Sequence, residues 1–110
     1  TEDPAANGAT GDVVWSNSKQ QGFMRFSGLA PNDPTREQYQ LWIFDKDRPA
    51  ETPVDGGVFD VDPATGEVVI AIDPKVRVTD ATMFAVTVEK PGGVVVSKRE
   101  RIPVLAKPAA

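Results

Sequence analysis

Three acidic side chains crowd around one glycine in Asp60-Val61-Asp62-Pro63-Ala64-Thr65-Gly66-Glu67, a composition that invites a calcium ion. Calcium loops want an oxygen ligand at the fifth position and glycine at the sixth. Those places hold Ala64 and Thr65, so the run reads as an exposed strand face followed by a proline-glycine turn. Asp45, Asp47, Glu51 and Asp55 are a second acidic group. Glycoside chemistry needs two carboxyls roughly 5–10 Å apart across a sugar. Lys46 and Arg48 stand among these four, as on a solvated loop, and nothing in the spacing sets them apart from ordinary surface charge. Trp15 and Trp42 offer stacking surface to a sugar or a peptide, although tryptophan on a strand of a small β protein more often fills the core. Trp15, on a terminal strand, keeps both readings open.

The chain has no histidine and no cysteine. That removes Ser-His-Asp and Cys-His catalysis, ordinary zinc sites, disulfides and thiol redox chemistry. The expectation is a protein that is not an enzyme, with no catalytic, cofactor-binding or metal residues and no assigned ligand site. The formal net charge is −4 and the sequence pI is about 4.7, which disfavours nucleic acid and anionic membrane as partners of the whole surface. The basic run Lys98-Arg99-Glu100-Arg101 is interrupted by glutamate and reads as a charged edge that blocks strand-to-strand aggregation. No apolar run approaches the roughly 20 residues that span a bilayer.

The elements that carry these residues are short. Ten prolines and nine glycines fall between apolar runs, as in a protein of many strands and turns. Tyr39-Gln40-Leu41-Trp42-Ile43-Phe44 reads as the central strand, with Tyr39, Leu41 and Ile43 on one face and Gln40, Trp42 and Phe44 on the other. Further strands are expected over residues 12–16, 23–29, 58–62, 67–73, 83–89 and 94–102, with Pro103-Val104-Leu105-Ala106 closing an edge. Residues 58–62 and 67–73 alternate cleanly about the turn at 63–66 and read as a β-hairpin. Asp33 caps a single helical turn over residues 34–38, and Lys90-Pro91-Gly92-Gly93 has the residues of a type II turn. Seven short strands in about 100 residues predict an all-β fold, an immunoglobulin-like antiparallel β-sandwich. Residues 1–11 read as a flexible linker, 12–106 as the sandwich domain and 107–110 as a flexible tail. The start without methionine suggests a piece of a longer protein.

With these segments placed, the chain resembles the extracytoplasmic C-terminal domain of the anti-sigma-K factor family. The resemblance rests on Gly11-Asp12-Val13-Val14-Trp15, Phe26-Ser27-Gly28-Leu29-Ala30-Pro31, Tyr39-Gln40-Leu41-Trp42-Ile43, Gly57-Val58-Phe59 and Ala85-Val86-Thr87-Val88-Glu89-Lys90-Pro91-Gly92-Gly93, in that order. Tyr-Gln-Leu-Trp is the family's most characteristic stretch. One departure follows Gly92-Gly93, where Val94-Val95-Val96 replaces the family's small residues and proline. The resemblance implies a non-enzymatic sensory or regulatory domain, outside the cytoplasm and tethered through an anchor beyond this chain. The parent protein would hold a sigma factor through another region and be regulated by proteolysis, with a periplasmic protease or sensor protein as a further partner. The alternative is a secreted or surface carbohydrate- or peptide-binding module that uses Trp15 or a sheet edge.

Overall fold

The computed structural model describes residues 9–63, 67–99 and 101–108. Its strands are β1 (Thr10–Ser16), β2 (Gln21–Ser27), β3 (Gln38–Asp45), β4 (Val54–Phe59), β5 (Glu67–Ala71), β6 (Ala81–Glu89) and β7 (Val104–Ala106). They form two antiparallel sheets, one ordered β1-β2-β5 and the other β4-β3-β6-β7, packed as the expected β-sandwich. Among the described residues no helix is long and apolar enough to cross a membrane.

Period-two alternation decides what goes inside. Val13 of β1, Met24 and Phe26 of β2, Tyr39, Leu41 and Ile43 of β3, and Phe84 and Val86 of β6 all reach the shared core and are 3% exposed or less. Phe59 stacks between Phe26 and Tyr39, each ring centroid 5.5 Å from its own. The segment before β3 has the expected single turn. Asp33 O accepts N–H bonds from Arg36 and Glu37, and its carboxylate caps the turn by accepting from the N–H and hydroxyl of Thr35.

Two expectations need correction. Residues 58–62 and 67–73 do not form a hairpin: β4 pairs with β3, β5 pairs with β2, and the chain crosses between sheets from one to the other. Alternation reports which face is buried and says nothing of the neighbour. Asn32 fixes the crossing, since its side-chain oxygen accepts the Val61 N–H at 2.7 Å and its amide N–H donates to Asp60 and to the Glu37 carbonyl. The turn expected at 63–66 lies largely outside the described residues. The second correction is the strand expected over 94–102. That segment is irregular, with Val95 90% exposed and Arg99 in the left-handed region, and the last strand is the edge β7. β1 also starts at Thr10, two residues before the expected strand.

β4 carries a bulge: Gln40 faces Val58 and Trp42 faces Asp55, so Gly56 and Gly57 together oppose Leu41. Gly57 has φ 115°, a conformation that side chains rarely adopt, and Asp55 Oδ1 accepts its N–H at 2.9 Å. Because a Cβ there meets nothing nearer than 3.8 Å, Gly57→Ala should cost backbone strain alone, about 1–2 kcal/mol in chemical denaturation.

Candidate functional site

The residues of the Tyr39-Gln40-Leu41-Trp42 stretch act on two faces. Inside, the Tyr39 hydroxyl donates to the Ala30 carbonyl at 2.5 Å and Leu41 fills the space that Gly56 leaves. Outside, Trp42 lies over the β3–β6 pair and its indole N–H donates to Thr87 Oγ1 at 2.8 Å. At 1% exposure Trp42 is as buried as the core, yet it sits on the opposite face of the sheet. Loop segments cover that face, and polar side chains hold the longer of them in place.

Gln40 is the centre of this arrangement. Its Oε1 accepts the Val94 N–H at 2.9 Å and its Nε2 donates to the Val94 carbonyl at 3.0 Å, so the amide takes the part of a neighbouring strand's backbone. Gln38 Oε1 accepts the Gly92 N–H at 2.8 Å. The expected type II turn is present: Gly93 N–H donates to Lys90 O at 2.9 Å, and Gly92 has φ 86°. A Cβ on Gly93 would stand 2.7 Å from both Gln40 Oε1 and Val58 Cγ2, so glycine is required for the loop to come this close. Ser97 Oγ donates to Glu89 Oε2 at 2.5 Å and accepts the Arg99 N–H at 2.9 Å.

The basic run thus has a different role from the charged edge strand expected of it. Arg99 turns back with φ 54°, lays its guanidinium 5.1 Å from the centre of the Phe44 ring, and donates to the Ala50 carbonyl. Arg101 pairs with Glu37 at 2.5 Å, and Val88 N–H donates to the Arg101 carbonyl. Lys98 is exposed, and Glu100 lies outside the described residues. Residues 90–99 and Arg101 therefore form a latch against the Trp42 face of β3, tied to Gln38, Gln40 and Phe44 on either side of Trp42 by amide and guanidinium groups. Gln40→Ala should release it with little loss of global stability. Trypsin cleavage at Lys98 and Arg99 in the native protein should quicken roughly tenfold, the effect of about 1.4 kcal/mol on local opening.

The acids considered for chemistry are dispersed. Asp45 is 6% exposed and accepts backbone N–H bonds from Asp47 at 3.0 Å, Thr79 at 2.7 Å and Asp80 at 3.1 Å. Burial alone would push its carboxyl up, but the three N–H donors and nearby Arg48 outweigh this and hold it below the usual value. Such a group ties β3 to the loop before β6 and is a poor proton donor. Asp55 serves the β4 bulge, while Asp47 and Glu51 are exposed. Of the calcium candidates, Asp60 Oδ1 receives amide N–H bonds from Asn32 and Gln38, Asp62 is exposed, and Glu67 opens β5. Trp15 is half-buried, packs its ring 5.9 Å from that of Phe84, and donates its indole N–H to Asn17 Oδ1 at 2.7 Å. It belongs to the rim of the core, not to an open platform.

Sequence reasoning missed the amides of Gln40, Asn32 and Gln20, the last bridging both backbone groups of Val78. The available signal was Gln40 itself, a polar residue between Tyr39 and Leu41 in the bulkiest run of apolar and aromatic side chains. A family model described as the C-terminal region of the anti-sigma-K factor RskA matches residues 1–99. No curated protein and no solved structure matches the chain.

Proposed function

The chain belongs to the family of the C-terminal region of the anti-sigma-K factor RskA, and from that premise we propose that it is the outer, regulatory domain of a membrane-anchored anti-sigma factor. In this reading the parent protein binds its sigma factor through another region, and this domain lies outside the cytoplasm. Its work is steric. A folded sandwich shields the segment that joins it to the membrane from a protease, and opening of the fold exposes that segment. The observation that carries the proposal is the way β3 fastens the latch: Trp42 holds Thr87, in a second stretch of the family resemblance, and Gln40 holds Val94, the first residue past it. Such a latch can open locally at far lower cost than the whole domain unfolds.

The test is the cleavage of the full-length protein in cells, followed by immunoblot. Gln40→Ala should raise the basal cleavage, and the more destabilising Trp42→Ala should raise it further. If cleavage is the same in all three proteins, shielding by this domain is wrong.

A further inference from the structure

The two flanks of the sandwich differ. On one, β1 lies against β7: a Cβ on Gly11 would stand 3.0 Å from Val104 Cγ1, and Val13 forms a parallel bridge with Pro108. On the other, β5 ends the three-stranded sheet and β4 ends the four-stranded one. These two edges join at one end, where Asp73 N–H donates to Gly56 O and Lys75 N–H to Asp55 O, both at 3.0 Å. A groove of about 420 Å³ runs between them up to that junction, lined by Val58 and Phe59 on β4, by Val69 and Ile70 on β5, and by Gly56, Asp73 and Lys75 of the junction itself. Strand number accounts for the groove. Three strands face four, β1 covers β7, and the smaller sheet ends before it has covered β4. The inward-facing Val68, Ile70 and Phe59 are accordingly half-buried, unlike Met24 and Phe26 on the strand beside β5.

Sheet edges in native proteins are usually blunted by proline, lysine, a bulge or a cover. β7 runs between Pro103 and Pro108 with Lys107 beside it, and β4 has the Gly56–Gly57 bulge. Among the described residues β5 has none of these within Glu67–Ala71, and Pro74 and Lys75 come only after the strand has ended. It reads Glu-Val-Val-Ile-Ala, its register with β2 is unbroken from Phe23–Ala71 to Ser27–Glu67, and Val69 is 58% exposed. We infer that β5 is an acceptor edge, which takes an extended segment of a partner protein as a fourth strand in the place opposite β4. Alternate side chains of the incoming strand fill the groove over Ile70 and Phe59, and its backbone pairs with β5.

Charge selects the partner. Asp55 and Asp60 flank the β4 side, and Glu67 and Asp73 bracket β5; of the nearby bases, Lys75 pairs with Asp73 at 2.5 Å, and Arg25, opposite Val69, pairs with Asp12 at 2.6 Å. The matching strand is free of proline and alternates apolar residues with lysine or arginine. A second copy of β5 is a poor occupant, since antiparallel self-pairing brings Glu67 of one chain toward Asp73 of the other. This goes beyond the anti-sigma reading and stands independently of it.

The experiment titrates the isotope-labelled chain with a nine-residue peptide alternating valine and lysine, and with the same peptide carrying a central proline. The first should shift and protect the amides of residues 57–59 and 67–72, and the second should not. Val69→Lys, on the exposed face, should weaken binding roughly tenfold, whereas Leu105→Lys on β7, 58% exposed, should leave it unchanged. The inference is overturned if neither peptide perturbs the spectrum at millimolar concentration, if both bind alike, or if the shifts map to β7. Dimerisation in sedimentation that Val69→Lys abolishes would overturn it as well, by assigning the edge to a second copy.

Discussion

Trp42→Ala is expected to lower the stability of this domain by about 4 kcal/mol, the range for removing a fully buried tryptophan. At 1% exposure the side chain has no solvent to fall back on. Its loss leaves a cavity between the β3–β6 pair and the latch, and it takes the indole donor from Thr87, which is itself 0% exposed. Domains of this size are stable by about 5–15 kcal/mol, so one substitution consumes a large part of the margin. The midpoint of thermal unfolding followed by circular dichroism should fall by roughly 15–30 °C. Because Trp42 lies on the latch side of the sheet, residues 94–101 should also lose hydrogen-exchange protection out of proportion to β1 and β2. A fall of less than about 1 kcal/mol, within the range of exposed substitutions, would contradict the placement of Trp42.

Asp45→Ala should cost about 3 kcal/mol near neutral pH, by a different route. The carboxylate satisfies three backbone N–H groups at the end of β3, and the buried donors lose a charged acceptor together. The pH dependence identifies the cause. The folded-state value of this carboxyl lies below its unfolded value, so its contribution is complete above the usual carboxylate range and is lost as pH falls through the depressed value. The gap between wild type and Asp45→Ala in urea denaturation should therefore narrow below about pH 4. Asp33 is held low chiefly by the Thr35 hydroxyl and N–H, but it is exposed and its share of the acid sensitivity is small. A gap that stays constant down to pH 2 would mean that packing, not the charge, is what Asp45 supplies.

Much of the fold was legible because local rules governed it. Alternation correctly sorted Tyr39, Leu41 and Ile43 from Trp42 and Phe44. Pro91 and Gly92 fulfilled the demands of a type II turn, and Asp33 those of a cap. The errors fall where a residue's partner is distant. Val94-Val95-Val96 has strand propensity, but Gln40, 54 residues away, takes both backbone bonds of Val94 and holds the segment as a loop.

The amino-acid sequence by itself determined the sandwich, its central strand, the exclusion of histidine and cysteine chemistry, and the family. These follow from composition, period-two patterning and turn residues, which need only near neighbours. Tertiary structure alone decided that β4 and β5 part to different sheets, that Arg99 and Arg101 fasten a latch, and that β5 stands at the end of the three-stranded sheet. Pairing between strands is a competition among distant segments for the same backbone groups, and no local pattern records which of them wins.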